Sequence, residues 1–151
     1  MKNEFMIRAL ELAKESALEG EVPVGAVIVK DGKIIAQGRN RREKGKNALY
    51  HAEIEAIDNA CKALGGWRLR QCDLYVTLEP CPMCSGAIIN SRIKRVFYGA
   101  SDRKAGSFGS VIDFNQLPFN HKPEIHSSVM EEECSALLTE FFKNLRKNKR
   151  M

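Results

Sequence analysis

His51, Glu53, Cys81 and Cys84 are the side chains whose types and spacing could hold a metal ion and move protons beside it. The two cysteines stand in Pro80-Cys81-Pro82-Met83-Cys84, separated by two residues. At a helix start this spacing puts both sulfurs on one side of the first turn, a natural grip for a tetrahedral ion. The helix N-terminus adds partial positive charge and free N–H groups, which favour thiolate over thiol. His51 is expected to open a second helix in the same way, so two helix starts converging on one point would supply one nitrogen and two sulfur ligands. Structural zinc sites are usually closed by four protein ligands, whereas catalytic ones keep one place for water. Three ligands point to the second kind. No second Cys-x-x-Cys completes the set, and His121 and His126 fall in loop and strand-edge surroundings that read as surface.

Glu53 lies two residues beyond His51. Near a zinc ion it would take a proton from the activated water and return it to a leaving nitrogen. Zn2+ brings the pKa of a water to about 7, which makes water a nucleophile towards an amidine-like ring carbon that bears an amino group, with ammonia leaving. Each half of the pattern is weak alone: a Cys-x-x-Cys can be redox, structural or accidental, and a His-x-Glu means almost nothing. In this order, with Pro80 before the first cysteine, the two together match the signature of zinc-dependent nucleobase deaminases.

The elements that must position these residues are legible from periodicity. Apolar positions at helical spacing span 4–19, with Gly20 as a stop. The Val-rich run over 22–29, then Asp31-Gly32, then 33–36, predicts a hairpin. Residues 39–50 are polar and basic and read as a loop. A helix is expected over 52–64, ended by Gly65-Gly66, and a strand over 74–78, broken by Glu79-Pro80-Cys81-Pro82. A short helix over 83–90 follows, with Pro82 suited to its first turn. The remainder reads as a strand over 94–98, a Gly/Ser-rich loop over 99–110, a short helix over 111–117, a strand over 124–127 and an amphipathic helix over 130–147. Helices alternating with strands predict a three-layer α/β domain.

At 151 residues, 44% hydrophobic and 28% charged, the chain suits a single domain with one buried core. No apolar run reaches the ~18 residues of a membrane span, and the N-terminus lacks the apolar segment of a secretion signal. A cytoplasmic protein with no membrane partner is expected. The five cysteines are an odd count without such a signal, which argues for reduced thiols. Cys61, Cys72 and Cys134 read as small buried apolar residues. The net charge of +5 gathers at Arg39, Arg41, Arg42, Lys44 and Lys46, at Arg68 and Arg70, at Arg92, Lys94 and Arg95, at Arg103 and Lys104, and in a tail from Lys143 to Arg150. Such a distribution suits a polyanionic partner.

The likeness extends beyond a motif. Glu21-Val22-Pro23-Val24-Gly25-Ala26, Gly38-Arg39-Asn40, His51-Ala52-Glu53 and the run from Leu74 to Cys84 resemble the bacterial tRNA-specific adenosine deaminase family. So do Ser91-Arg92-Ile93, Gly99-Ala100, Asp102, Gly106, Phe119-Asn120-His121 and the segment from Glu133-Cys134 to Phe141-Phe142. The resemblance implies a cytidine-deaminase-like α/β/α sandwich around a central five-stranded mixed sheet. It implies hydrolysis of adenosine to inosine at the wobble position of an arginine tRNA anticodon, by a homodimer carrying one Zn2+ per subunit. His51, Cys81 and Cys84 would then be the ligands and Glu53 the proton shuttle. Asn40 would touch the flipped-out nucleoside, Asp102, Arg103 and Lys104 the flanking nucleotides, and Phe142 with Phe141 would shape the RNA cleft. For Phe141 and Phe142 core packing is an equal expectation. One departure stands out: Asn47-Ala48-Leu49-Tyr50 replaces the family's usual Pro-Thr-Ala run before the histidine, which puts Tyr50 forward as a neighbour of the substrate.

Two other readings compete. A deaminase of a free base or nucleotide, of guanine or cytosine type, would share the metal and Glu53 but need no basic rim. A non-catalytic zinc module that only binds RNA would need a fourth protein ligand and have no use for Glu53.

Overall fold

The computed structural model describes residues 2–149; Arg150 of the expected basic tail lies outside the described residues, with Met1 and Met151. Five strands form one sheet in the order β2-β1-β3-β4-β5, comprising β1 (Gly25–Lys30), β2 (Lys33–Arg39), β3 (Cys72–Leu78), β4 (Arg95–Ala100) and β5 (Glu124–His126). The β2, β1 and β3 pairings are antiparallel, and those from β3 through β4 to β5 are parallel. Helices α1 (Lys2–Leu18) and α4 (Glu131–Lys149) cover one face, and α2 (Ala52–Leu64) and α3 (Pro82–Ser91) cover the other. This is the three-layer sandwich with a mixed five-stranded sheet that the sequence implied.

The two faces follow from strand periodicity, since successive side chains alternate sides. Ala26 and Ile28 of β1, Leu74 and Val76 of β3, and Val96 and Tyr98 of β4 pack with Ala52, Ala56 and Ala60 of α2 and Ile88 of α3. Their neighbours Val27, Val29, Tyr75 and Phe97 pack with Met6, Ala9, Leu10 and Leu12 of α1 and with Cys134 of α4. Tyr75, Phe97 and His126 stack in sequence across β3, β4 and β5, with ring centroids 4.5 Å and 4.6 Å apart. His126 thus joins an aromatic row at the sheet edge with its side chain 34% exposed, and as expected it is not part of the metal trio. His121 is half-buried, with Nε2 2.6 Å from the Ile93 carbonyl oxygen.

Local chemistry sets the boundaries. Asp31 and Gly32 both adopt positive φ, 50° and 75°, the combination that a two-residue I′ hairpin turn requires. The strand expected from residue 22 begins only at Gly25, because Pro23 has no N–H for a ladder. The helix expected over 111–117 shrinks to one 3₁₀ turn, Phe114–Gln116. The Asp113 carboxylate opens that turn by accepting from Asn115 N–H at 3.0 Å, and Pro118 after Leu117 disfavours helical continuation. Cys72 and Cys134 are buried as expected, whereas Cys61 is half-buried.

The contact that seats the site is between Gly38 of β2 and the start of α2. A Cβ at Gly38 would lie 2.3 Å from the Ala52 carbonyl oxygen and 2.6 Å from the Ala56 nitrogen. Only a residue without a side chain lets α2 approach so closely, and α2 carries Glu53 with His51 at its head. Gly38→Ala should therefore overpack this layer and destabilise the protein by about 1–3 kcal/mol. Denaturant unfolding measures this, and wild-type stability in that variant would mean that α2 is free to shift.

Candidate functional site

Two helix starts meet at the carboxyl end of β3, the side of an α/β sheet where ligands bind. His51 is the N-cap of α2 (φ −85°, ψ 153°) and Cys81 the N-cap of α3 (φ −76°, ψ 172°), both in extended conformation. Neither helix has a side-chain cap, and Pro82 occupies the first turn of α3, where a missing N–H is harmless. The positive ends of both helix dipoles thus face the same group of donors.

His51 Nδ1 lies 3.7 Å from Cys81 Sγ and 3.6 Å from Cys84 Sγ. A tetrahedral zinc with ordinary Zn–N and Zn–S bonds of about 2.0–2.3 Å separates nitrogen from sulfur by about 3.6 Å. The spacing fits such an ion, and all three donor atoms fall within 4.8 Å of one another. Among the described residues no fourth histidine, cysteine or carboxylate joins the group. Cys81 is pushed down to about 4, first by the hydrogen bond that Cys84 donates to it and then by His51. That same bond, together with burial, drives the Cys84 thiol up, and the bond to Cys81 raises His51.

Glu53 points from the first turn of α2 and is only 4% exposed. Burial pushes its carboxyl up to about 7, with Cys81 adding to the rise, while its own backbone N–H, His51 and Cys84 act in the opposite direction. A carboxyl poised near neutrality can both take and return a proton.

These residues open onto a cavity of about 610 Å³. His51, Glu53 and Cys81 line it, with Cys84 fully buried behind. Val22, Val24, Ala52 and Leu78 supply apolar wall; Asn40, Arg42, Glu79, Ser101, Asp102, Arg103, Lys104, Ala105, Leu138 and Phe142 complete the lining. Of the site residues singled out in the sequence, His51, Glu53, Cys81, Asn40, Asp102, Arg103, Lys104 and Phe142 therefore border one space, and Cys84, Phe141 and Tyr50 do not. Phe142, 40% exposed on α4, borders it directly, whereas Phe141 sits edge-on to Phe142 at 5.4 Å and does not. Tyr50 does not line the cavity either: its ring covers Gly45, where a Cβ would come within 2.2 Å of it. The segment that replaces the family's Pro-Thr-Ala run is shaped by hydrogen bonds instead, with Asn47 Oδ1 accepting from Leu49 N–H and the Asn47 carbonyl from Tyr50 N–H.

The basic clusters divide in the fold. Arg39 and Lys44 pair with Glu19, Arg41 with Glu55, and Arg95 with Asp73. Arg42, Arg103 and Lys104 have no carboxylate within ion-pair distance among the described residues, and it is these three that border the cavity. Asn40 is buried, its Nδ2 donating to the Val22 carbonyl at 3.1 Å and its Oδ1 accepting from Arg42 N–H at 3.2 Å. One N–H and one lone pair remain for a ligand. Asp102 Oδ1 accepts from the N–H groups of Lys104 and Ala105, which makes it a turn former as well as a lining residue.

Two residues of the site escaped sequence reasoning. Glu21 and Glu79 are each 1% exposed, and their carboxylates accept backbone N–H groups from the loops on either side of the cavity. The available signal was an acid at the edge of an apolar run: Glu21 before Val22 to Val29, and Glu79 between a strand and Pro80.

Residues 1–146 match the MafB19-like deaminase family. The chain is 50% identical over 147 residues to the tRNA-specific adenosine deaminase of Bacillus subtilis, covering 97% of this chain and 91% of that protein. Its fold is similar to a solved structure from a study of A-to-I editing by tRNA:A34 deaminases at the wobble position of transfer RNA. That likeness has a TM-score of 0.87 at 45% identity and covers 89% of this chain and 99% of the other. It is also similar to guanine deaminase from Bacillus subtilis, with a TM-score of 0.63 at 44% identity over 77% of this chain and 69% of that one. The chain belongs to the MafB19-like deaminases and, within them, to the tRNA-specific adenosine deaminase family.

Proposed function

We propose that this protein hydrolyses adenosine to inosine at the wobble position of a tRNA anticodon, that of an arginine tRNA, at a zinc centre held by His51, Cys81 and Cys84. The observation that carries the reading is the cavity itself. A nitrogen and two sulfurs at tetrahedral spacing and a neutral-poised carboxyl lie at its floor, and three unpaired cations border it. When bound, zinc acts as a Lewis acid that makes water nucleophilic near neutral pH.

The chain's own residues do the rest. Glu53 removes a proton from the attacking water and delivers it to the amino nitrogen at C6, so that ammonia leaves. Val22, Val24, Ala52 and Leu78 present apolar surface to the flat base, which fits a nucleotide swung out of its stack. Anticodon-loop bases are unpaired, so exposing one is less costly than opening a duplex. Asn40 meets the nucleoside through its remaining N–H or lone pair. Arg42, Arg103 and Lys104 meet phosphates on either side of it, and Phe142 offers an aromatic edge to the RNA. A free purine carries no phosphates for those cations, which is why the RNA reading is preferred over a guanine-type deaminase.

The single domain is proposed to act as a homodimer whose second copy borders the cleft. Exposed Val111, Ile112 and Phe119 leave apolar surface for such contacts. Five free cysteines and a tRNA substrate support a cytoplasmic location, and no helix of the described residues is long and apolar enough to cross a membrane.

Incubation of the zinc-loaded protein with an arginine tRNA anticodon stem-loop bearing adenosine at the wobble position should yield inosine, while free adenosine, cytidine and guanine stay unchanged. KM for the stem-loop should climb with salt, as phosphate contacts demand. Deamination of a free base in place of the RNA would overturn the assignment. Glu53→Gln should retain its zinc and lose about 10²–10⁴ in kcat; full turnover in that variant would remove the shuttle. Cys84→Ser should bind zinc more weakly and unfold more readily, and unchanged zinc content by elemental analysis would strike Cys84 from the ligands.

A further inference from the structure

We propose that Glu21 and Glu79 are positioning residues for RNA recognition: two buried carboxylates that each hold one rim of the cavity by its backbone N–H groups. The inference rests on the reading of the cavity as an RNA site and adds the device that sets its shape.

Glu79 sits at the end of β3 and faces the loop that follows β4. Its Oε1 accepts from Asp102 N–H at 3.1 Å, and its Oε2 accepts from the N–H groups of Phe108 and Ser110, each at 3.1 Å. The Ser110 hydroxyl donates to Oε1 as well. The loop wraps so closely that a Cβ at Gly106 would lie 2.3 Å from the Glu79 carboxyl carbon. Glu21 does the same on the opposite rim. Its Oε1 accepts from Glu43 N–H at 2.9 Å and its Oε2 from Lys44 N–H at 2.7 Å.

Among the described residues neither carboxylate has a cationic partner. A buried carboxylate met by backbone N–H groups, and at Glu79 by the Ser110 hydroxyl as well, fixes those groups in return, because charge-assisted hydrogen bonds are about twice as strong as neutral ones. The fixed segments are those that present Arg103 and Lys104 from one side and Arg42 from the other. Flexible cationic loops would relax towards the nearest carboxylate or into solvent. These loops already have their backbones committed to an acid beneath them, so their free cations stand at set positions around the mouth. Phosphates on either side of an extruded base need that kind of fixed spacing.

Glutamine is the informative replacement because it is isosteric but brings an NH2 group. In Glu79→Gln one of the two acceptor positions becomes a donor that opposes loop N–H groups, and in Glu21→Gln one of two N–H partners is lost in either orientation. With zinc-loaded protein and the wobble-adenosine stem-loop, each variant should raise KM by about tenfold while kcat stays within about threefold. Zinc content should stay unchanged, and the salt dependence of KM should be shallower than wild type. Ser110→Ala, which removes one donor and leaves the acid in place, should shift KM in the same direction by less and serves if Glu79→Gln fails to fold. Amide hydrogen exchange supplies a readout that needs no RNA. The N–H groups of Asp102, Phe108 and Ser110 should exchange faster in Glu79→Gln, and those of Glu43 and Lys44 faster in Glu21→Gln. Unchanged exchange in these amides would overturn the proposal even if the wild type proved inactive on RNA. Loss of kcat together with zinc, at wild-type KM, would overturn it too by moving both acids into the metal site.

Discussion

Two helices beginning at one point are the constraint from which the rest of the site follows. His51 and Cys81 are N-caps, in extended conformation, of helices that lie side by side on one face of the sheet. A helix start leaves backbone N–H groups without intrahelical partners and carries partial positive charge. Two such starts aimed at the same trio hold negative charge on sulfur where a lone helix would be less effective. Once the caps are in place, the first turn of α3 carries Cys84 to the same spot and the first turn of α2 carries Glu53 into the cavity. The geometry therefore depends on a packing distance, α2 against β2, more than on any bond within the site. Gly38 sets that distance.

Around this floor some of the charges neutralise one another and others do not. A net charge of +5 suggests a broadly basic surface. In the fold, Glu19 takes Arg39 and Lys44, Glu55 takes Arg41, and Asp73 takes Arg95. These exposed or half-exposed pairs contribute little to stability individually. Their effect is to remove cations from the pool that faces a polyanion. At the cavity, Arg42, Arg103 and Lys104 remain without an ion pair among the described residues, so a short arc of positive charge stands at the opening that leads to the His51, Cys81 and Cys84 trio.

The parts of this design that were legible in the sequence are those encoded by neighbours in the chain. The hairpin was visible because Asp31-Gly32 suits only a turn with two positive φ angles, and the metal trio because caps and Cys-x-x-Cys spacing are local. Helix faces were visible because alanine and leucine recur at helical spacing. Residues whose role depends on a distant loop were hidden. Nothing within reach of Glu79 in the chain announces that N–H groups from Asp102, Phe108 and Ser110 will converge on it, nor does the neighbourhood of Glu21 point to Glu43 and Lys44. The stacking of His126 is hidden for the same reason, since its partner Phe97 belongs to another strand. Tyr50 was drawn towards the substrate by its place beside His51, yet an extended N-cap turns successive side chains apart, and the ring settled over Gly45. The short helix expected over 111–117 is confined by Pro118 and the Asp113 turn to a single 3₁₀ turn.

This division between local and distant determinants bears on how such a fold changes substrate. The His51, Cys81 and Cys84 trio and Glu53 belong to short stretches at the heads of α2 and α3, and the proposed chemistry depends on all four. The rim belongs to loops 40–50 and 101–110, which the sheet does not constrain directly. A loop free to vary in sequence but anchored through its backbone can exchange side chains without losing its path, because N–H groups are common to every residue but proline. Acids such as Glu21 and Glu79 therefore separate the path of the loop from its chemistry. On the proposed reading, one floor could serve a free purine or a nucleotide within RNA according to whether the side chains carried along that path are neutral or cationic, as Arg42, Arg103 and Lys104 are.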